Sequence, residues 1–198
     1  MPFTIIRNDI TKMKVDAIVN AANTDLLIGS GVCGAIFNGA GADQLQVACN
    51  ALAPIQTGEA VITPGFDLSA NYIIHAVGPI YHQWSGEQSE QHLHNAYSNA
   101  LRLAVENQCE SIAFPLISSG IYGYPKKEAL EVATKAIRDF LGSQELEVYL
   151  VLFDKSALEV SQELLGEVAS FIDDHYVESQ PYEINEVLFS YDQQLLGS

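Results

Sequence analysis

Residues 19–41, VNAANTDLLIGSGVCGAIFNGAG, join an apolar run to a helical pattern through a segment crowded with glycine and asparagine. Val32, Ile36 and Ala40 recur at the four-residue spacing of one helix face, so a helix is expected to begin near Val32, directly after residues 29–31. Glycine lets a backbone approach an anion closely, and the first N–H groups of a helix are unpaired and carry partial positive charge. The stretch therefore predicts a strand, a phosphate-binding loop and a helix.

A second segment of the same kind follows later in the chain. Residues 115–125, PLISSGIYGYP, come after an apolar run and before another helical pattern, and Pro125 suits the first turn of that helix. Two such loops that face each other could hold two linked phosphates through main-chain amides, without any lysine. Each loop taken by itself also fits an ordinary tight turn, because a lone glycine cluster is a weak motif.

The wider pattern predicts an α/β protein. Six runs rich in branched apolar residues predict strands at 3–7, 16–21, 59–66, 72–78, 111–117 and 147–153. Apolar stripes at helical spacing lie between them, and the last stripe is expected to run as one helix from Leu158 to Ile172. Residues 78–90 are expected to form an exposed loop. Alternating strands and helices predict an α/β/α sandwich around a mostly parallel sheet, in which ligands sit at the carboxyl ends of the strands.

Composition excludes several classes of function. A formal net charge of −16 argues against a surface that tracks nucleic-acid phosphates, since that surface needs clustered Lys and Arg. We therefore expect no DNA partner. No run of about 18 apolar residues predicts a membrane span, and the first residues lack the features of a signal peptide. The expectation is a cytoplasmic protein without a membrane partner.

The three cysteines indicate neither a disulfide framework nor a metal centre. Cys33, Cys49 and Cys109 are odd in number and contain no Cys-x-x-Cys pair. His92 and His94 are two residues apart on a predicted helix and therefore point to different faces. We expect reduced thiols, no metal site and no cofactor.

Five ordered segments together resemble the macrodomain family, the ADP-ribose-binding fold. They are residues 7–41, the segment QTGEAVITPGFDL, the segment YIIHAVGP, residues 115–125 and the segment VYLVLFD. The resemblance runs from about Phe3 to Ile172. It implies a three-layer α/β/α sandwich with a mixed, mostly parallel central sheet, a macrodomain over residues 1–177 and a C-terminal extension over residues 178–198. That extension either packs against the domain or stays mobile.

The resemblance also implies a set of ligand-binding residues. Asp9 matches the acidic residue that accepts a hydrogen bond from the adenine amino group, Ile10 lies beside the ring, and Phe153 falls where family members place a side chain against adenine. Asn23 matches the asparagine that contacts the distal ribose. The two phosphate loops correspond to Gly29, Ser30, Gly31, Val32 and Cys33, and to Ser118, Ser119, Gly120, Ile121 and Tyr122. Alternatives stay open, because Asp9 could cap a turn and Phe153 could belong to the core.

Two positions depart from macrodomains that hydrolyse ADP-ribosyl bonds. Those proteins carry an aspartate after the glycine loop and a histidine one helical turn later, whereas this chain has Cys33 and Phe37. A thiol is a weak hydrogen-bonding group and a phenyl ring has none, so the usual water-activating parts are missing. A first-turn cysteine could instead act as a nucleophile, but no histidine lies nearby in sequence, and such cysteines also serve as packing residues.

Three functions remain open from the sequence. The first is recognition of free ADP-ribose or ADP-ribosylated protein through the two loops, Asp9 and Asn23. The second is hydrolysis, either removal of mono-ADP-ribose from protein or deacetylation of O-acetyl-ADP-ribose, in which Asn23 would be the catalytic residue. The third is a scaffold that keeps the fold without a ligand, which would leave the retained glycines unexplained. The first is favoured because the binding motifs are intact.

Overall fold

The computed structural model describes residues 3–165 and 169–170 of the 198. The expected boundary at residue 177 and the extension 178–198 lie outside the described residues. A single sheet runs through the described part, with strand order β3-β4-β2-β5-β6-β1-β7. The strands are β1 (Phe3–Arg7), β2 (Ala17–Ala21), β3 (Ala60–Pro64), β4 (Tyr72–Ala76), β5 (Ser111–Phe114), β6 (Glu147–Leu152) and β7 (Ala169–Ser170). Only the β3–β4 pair is antiparallel among these pairings.

Helices cover both faces of this sheet. They are α1 (Gly31–Ala40), α2 (Ala42–Asn50), α3 (Gly86–Glu106), α4 (Lys126–Leu141) and α5 (Lys155–Leu165). Successive residues of a strand face opposite sides, so in β2 Val19 packs with α3 and α4 while Ile18 packs with α1 and α2. The expected three-layer α/β/α sandwich with a mixed, mostly parallel sheet is confirmed.

The sheet places three loops beside one another. Strands β2, β5 and β6 are neighbours and parallel, so their carboxyl ends lie on one edge of the sheet. The loops that follow them begin at Ala22, Pro115 and Phe153. Because neighbouring strands are about 4.8 Å apart, the outer two of these loops start roughly 10 Å from each other. This edge is where ligands bind in open α/β sheets.

Two sequence expectations are wrong in detail. Helix α5 ends at Leu165, and Ala169 lies in the short strand β7 rather than in the same helix; Gly166, which follows in the sequence, is a residue type that favours a helix end. The segment 78–90 is not a simple loop. It contains a short 3₁₀ helix, Tyr81–Gln83, and helix α3 already begins at Gly86.

Within the described ranges, no helix is both long enough and apolar enough to cross a membrane.

Candidate functional site

A cleft of about 800 Å³ opens at the carboxyl edge of β2, β5 and β6. Both glycine- and serine-bearing loops line it. Of the residues singled out from the sequence, the structure brings eleven together around the cleft: Asn23, Gly29, Ser30, Val32, Cys33, Ser118, Ser119, Gly120, Ile121, Tyr122 and Phe153. Asp9, Ile10 and Gly31 are not among its lining residues.

Asp9 sits at the same sheet edge but makes local contacts. Its Oδ1 accepts hydrogen bonds from Thr11 N at 3.0 Å and Thr11 Oγ1 at 2.7 Å, which caps the short 3₁₀ helix Ile10–Lys12. Ile10 is buried beneath it. Strand β1, which leads to Asp9, is the neighbour of β6, which leads to Phe153. Asp9 therefore lies one strand beyond the cleft on the Phe153 side, and its role in base recognition stays a prediction.

The first loop places the start of helix α1 at the cleft. Ser30 is the N-cap residue, yet its side chain makes no capping hydrogen bond. Gly31 adopts φ +61°, a left-handed conformation that L side chains rarely take. At Gly34, an added Cβ would come within 2.7 Å of the Gly29 carbonyl oxygen, so only glycine lets the loop lie this close to the helix. No side chain therefore caps the first turn of α1 at Ser30, and the positive dipole end of this helix lies at the cleft.

The second loop is held under local strain. Ser118 adopts φ +67°, which is uncommon for a residue with a side chain. The Ser118 hydroxyl is buried against Gly78, since a Cβ added to Gly78 would come within 2.2 Å of Ser118 Oγ. This hydroxyl has no hydrogen-bond partner among the described residues. Backbone strain and unsatisfied buried hydroxyl groups are found most often at functional segments, where the surrounding structure holds them in place.

Tyr97 of helix α3 fixes the start of the second loop from below. Its hydroxyl donates to the Pro115 carbonyl at 3.0 Å and accepts from Ile117 N at 3.0 Å. The side chain is fully buried, and burial raises the pKa of its hydroxyl, so it stays protonated and can make both bonds at once. The sequence pattern showed Tyr97 only as part of an apolar helix stripe.

We expect Tyr97→Phe to lower the free energy of unfolding by about 2 kcal/mol, because it leaves a buried carbonyl and a buried N–H group unpaired. Denaturant unfolding measures this change. Tyr149→Phe is the matched control, since among the described residues the Tyr149 hydroxyl donates to the exposed side chain of Glu147 and to no buried group. Equal stabilities of the two variants would contradict the assigned role of Tyr97.

Helix α4 begins at the cleft in the same manner as α1. Its N-cap residue is Pro125, whose side chain has no acceptor that could cap the helix, and Lys126 at its first position lines the cleft. Helix α3 does not begin at the cleft, and a full capping box between Ser85 and Gln88 caps its amino end. Two helices therefore point positive dipole ends at the cleft without side-chain caps. This arrangement attracts an anion in a chain whose net charge is −16.

Asn23 shapes the mouth of the cleft. Its Nδ2 donates to the Leu27 carbonyl at 2.9 Å, and its Oδ1 accepts from Leu27 N at 2.9 Å. The side chain thus closes a turn within the first loop and still faces the cleft. Leu27 and Ile28 beside it are large apolar residues that are about half exposed.

Cys33 faces the cleft as a neutral thiol. Burial raises its pKa more strongly than hydrogen bonds from the Gly29 backbone and the Asn20 side chain lower it. A thiolate is the form that attacks, so the structure gives no support to nucleophilic catalysis by Cys33.

Phe37 does not reach the cleft. It is 1% exposed and packs edge-on against His75, with ring centroids 6.4 Å apart. His75 is held by Asn20 at 3.1 Å and Thr63 at 3.0 Å, and burial lowers its pKa to about 4. The imidazole is therefore neutral at pH 7 and belongs to the core beneath α1.

A polar cluster at the Phe153 end was missed from the sequence. Lys126 Nζ donates to Ser156 Oγ at 2.6 Å and lies 3.5 Å from Asp154 Oδ1, and all three residues line the cleft. Lys126 therefore lines the cleft although the sequence-based site did not include it, and the expectation that main-chain amides hold the phosphates without a lysine stays a prediction. Lys126 follows Pro125 and Asp154 follows Phe153, so adjacency to the predicted site residues was the available signal.

Across the part of the chain that the structure describes, no group of three or more His, Cys, Asp or Glu side chains could hold a metal ion.

Comparison with known proteins assigns the family. The sequence model of the macro domain matches residues 19–133. An O-acetyl-ADP-ribose deacetylase of Salmonella typhimurium is 46% identical over 81% of this chain and 92% of its own length, and a macro domain-containing protein of Chlorobaculum tepidum is 46% identical over 81% and 94%.

Solved structures agree. A mutant Oceanobacillus iheyensis macrodomain with ADPR is 43% identical, has a TM-score of 0.77 and covers 81% of this chain and 90% of that one. A Trypanosoma brucei macrodomain in complex with ADP-ribose is 36% identical, with a TM-score of 0.76 and coverage of 83% and 69%. The chain belongs to the macro domain family.

Proposed function

We propose that this protein binds ADP-ribose in the cleft, either free or attached to protein. The diphosphate lies between the first loop, at Ser30 and Val32, and the second loop, at residues 118–122. Adenine packs on Phe153, and the distal ribose lies beside Asn23. Relatives solved with ADPR or ADP-ribose support this choice of ligand.

One observation carries the proposal. Helices α1 and α4 both begin at the same cleft without a side-chain cap, so their first amides and positive dipole ends converge on one space. One helix amino end can hold one phosphate group, so two helix amino ends at the same cleft match a ligand with two linked phosphates. This also explains how a chain of net charge −16 attracts a doubly negative ligand.

The order of the strands sets the direction of the ligand. Asn23 follows β2, the second loop follows β5, and Phe153 follows β6. The ring of Phe153 at the β6 end offers a face for a purine, while the loops at β2 and β5 offer amides. Arg7 Nε donates to the Phe153 carbonyl at 3.2 Å and fixes the backbone that carries this ring.

Isothermal titration calorimetry tests the proposal. ADP-ribose is expected to bind saturably with one site per chain, and ADP more weakly because it lacks the distal ribose. Ribose 5-phosphate, which has neither the base nor the diphosphate, is the negative control. Absence of binding by ADP-ribose up to about 1 mM would overturn the proposal, since the binding free energy would then be less favourable than about −4.1 kcal/mol.

We expect Phe153→Ala to weaken ADP-ribose binding about tenfold, because stacking of a base on an aromatic ring contributes about 1–3 kcal/mol to the binding free energy. Phe153→Tyr keeps the ring and is expected to bind like the unmodified protein. Both variants retain the Arg7 bond, which uses the main-chain carbonyl. Unchanged affinity of the alanine variant in calorimetry would show that the base lies elsewhere.

Deacetylation of O-acetyl-ADP-ribose is the second candidate function, and the 46% identity to a deacetylase of Salmonella typhimurium favours it. Asn23 would supply the polar side chain at the distal ribose. The neutral thiol of Cys33 and the buried ring of Phe37 supply no general base. Binding is therefore ranked first, and acetate release from O-acetyl-ADP-ribose, compared with a cleft-blocked variant, measures the second function.

A further inference from the structure

The two ends of the cleft differ in charge. Helices α1 and α4 present uncapped amino ends, but α5 is capped by Asp154, whose Oδ1 accepts from Ala157 N at 2.6 Å. Asp154 lines the cleft next to Phe153. The β6 end of the cleft thus carries a capping carboxylate, whereas no side chain caps the starts of the other two helices.

The two oxygens of Asp154 have different surroundings. Oδ1 faces three donors, Ala157 N, Ser156 Oγ at 2.9 Å and Lys126 Nζ at 3.5 Å. Oδ2 accepts none of the hydrogen bonds found among the described residues, and the side chain is 37% exposed. One oxygen therefore orients the carboxylate, and the other remains able to accept a hydrogen bond on a residue that lines the cleft.

We propose that Asp154 selects the ribose next to adenine, accepting a hydrogen bond from one of its hydroxyls and rejecting a nucleotide that carries a 2′-phosphate there. This inference rests on the proposed function, which places adenine at Phe153. That ribose joins the base to the diphosphate and carries its hydroxyls on the edge of the ring, and Asp154 lies between Phe153 and Lys126 at the start of α4, within the same cleft. A carboxylate discriminates in the same way between ribose 2′-OH and 2′-phosphate in dinucleotide-binding folds.

Lys126 moderates this selection without reversing it. Two of its three donors are engaged by Ser156 and Asp154, so its charge is partly offset by the carboxylate. Removing the carboxylate leaves the ammonium facing the cleft, which favours a phosphate. Removing the ammonium leaves the carboxylate uncompensated, which disfavours a phosphate further.

The test is a comparison of ADP-ribose with 2′-phospho-ADP-ribose by calorimetry at low salt, where screening is weak. The unmodified protein is expected to prefer ADP-ribose. Asp154→Asn keeps an oxygen for the α5 cap and is expected to lower that preference about tenfold. Lys126→Met is expected to raise it about threefold. Asp139→Asn, which breaks an exposed Lys135–Asp139 pair, is the matched control and should leave the ratio unchanged.

The opposite signs separate selection from structural damage. Both variants break the same pair, so a purely structural role would move the ratio in one direction in both, or leave it unchanged, and either result overturns the inference. Thermal melting shows whether Asp154→Asn folds. If it does not, Lys126→Met alone decides, because an unchanged or lowered preference for ADP-ribose over 2′-phospho-ADP-ribose in that variant contradicts the proposal. Failure of the proposed function is distinct, since ADP-ribose would then not bind the unmodified protein.

Discussion

Gly29→Glu is expected to weaken ADP-ribose binding about a hundredfold or more. Gly29 lines the cleft in the first phosphate loop, and an added Cβ would meet Cys33 Sγ at 3.5 Å, an ordinary contact. Its backbone is outside the left-handed region, so a side chain is tolerated. The variant should therefore fold, yet it brings a carboxylate to the diphosphate site, and like charges brought together at an interface cost several kcal/mol.

Two further variants separate charge from bulk at this position. Gly29→Gln has nearly the same size as glutamate without its charge, and we expect it to bind about tenfold more tightly than Gly29→Glu. Gly29→Ala adds a single carbon and is expected to bind almost like the unmodified protein. Calorimetry with ADP-ribose gives all three affinities. Full affinity in the glutamate variant would show that the diphosphate does not lie against this loop.

Cys33→Asp is expected to raise acetate release from O-acetyl-ADP-ribose about a hundredfold, the typical contribution of a positioned general base. The environment acts on a carboxylate in two opposite ways. Burial, the largest influence on the pKa of the Cys33 thiol, would also raise the pKa of an aspartate, whereas hydrogen bonds from the Gly29 backbone and the Asn20 side chain would lower it. Cys33 also faces the cleft, so the new carboxylate could hold a water there.

Cys33→Asn is the matched control, since it has the shape of aspartate without a base. Acetate release is followed with time, and the Asp and Asn variants are compared after calorimetry has shown that both bind ADP-ribose. Equal rates would mean that a missing base is not what limits hydrolysis in this protein. Phe37 is left unchanged, because its ring packs against His75 in the core.

The fold could be predicted from the sequence because its strands are short runs of branched apolar residues that alternate with helical patterns. All six predicted strands are present, and they give the three-layer sandwich. The prediction failed where two signals compete. The apolar spacing between Leu158 and Ile172 continues across Gly166, and the structure ends α5 before that glycine. The start of helix α3 could also have been predicted from the sequence, because Ser85 and Gln88 have the spacing of a capping box.

The candidate site was only partly accessible. Residues 29–33 and 118–122 stand out because glycine and serine are concentrated there, and apart from Gly31 they line one cleft. Lys126 and Asp154 do not stand out, because their pairing depends on β5 and β6 being neighbours in the sheet. Tyr97 is similar, since its support of the second loop requires the packing of α3 beneath β5. Contacts between distant segments follow from topology, which a local pattern does not contain.

A crystal structure of the protein soaked with ADP-ribose would show where the diphosphate lies. We expect the diphosphate between Ser30 and Gly120, with main-chain amides of both loops as its donors and with adenine on the ring of Phe153. A nucleotide bound outside this cleft, or one whose phosphates face Asp154 while its base lies at Asn23, would contradict the proposed binding mode.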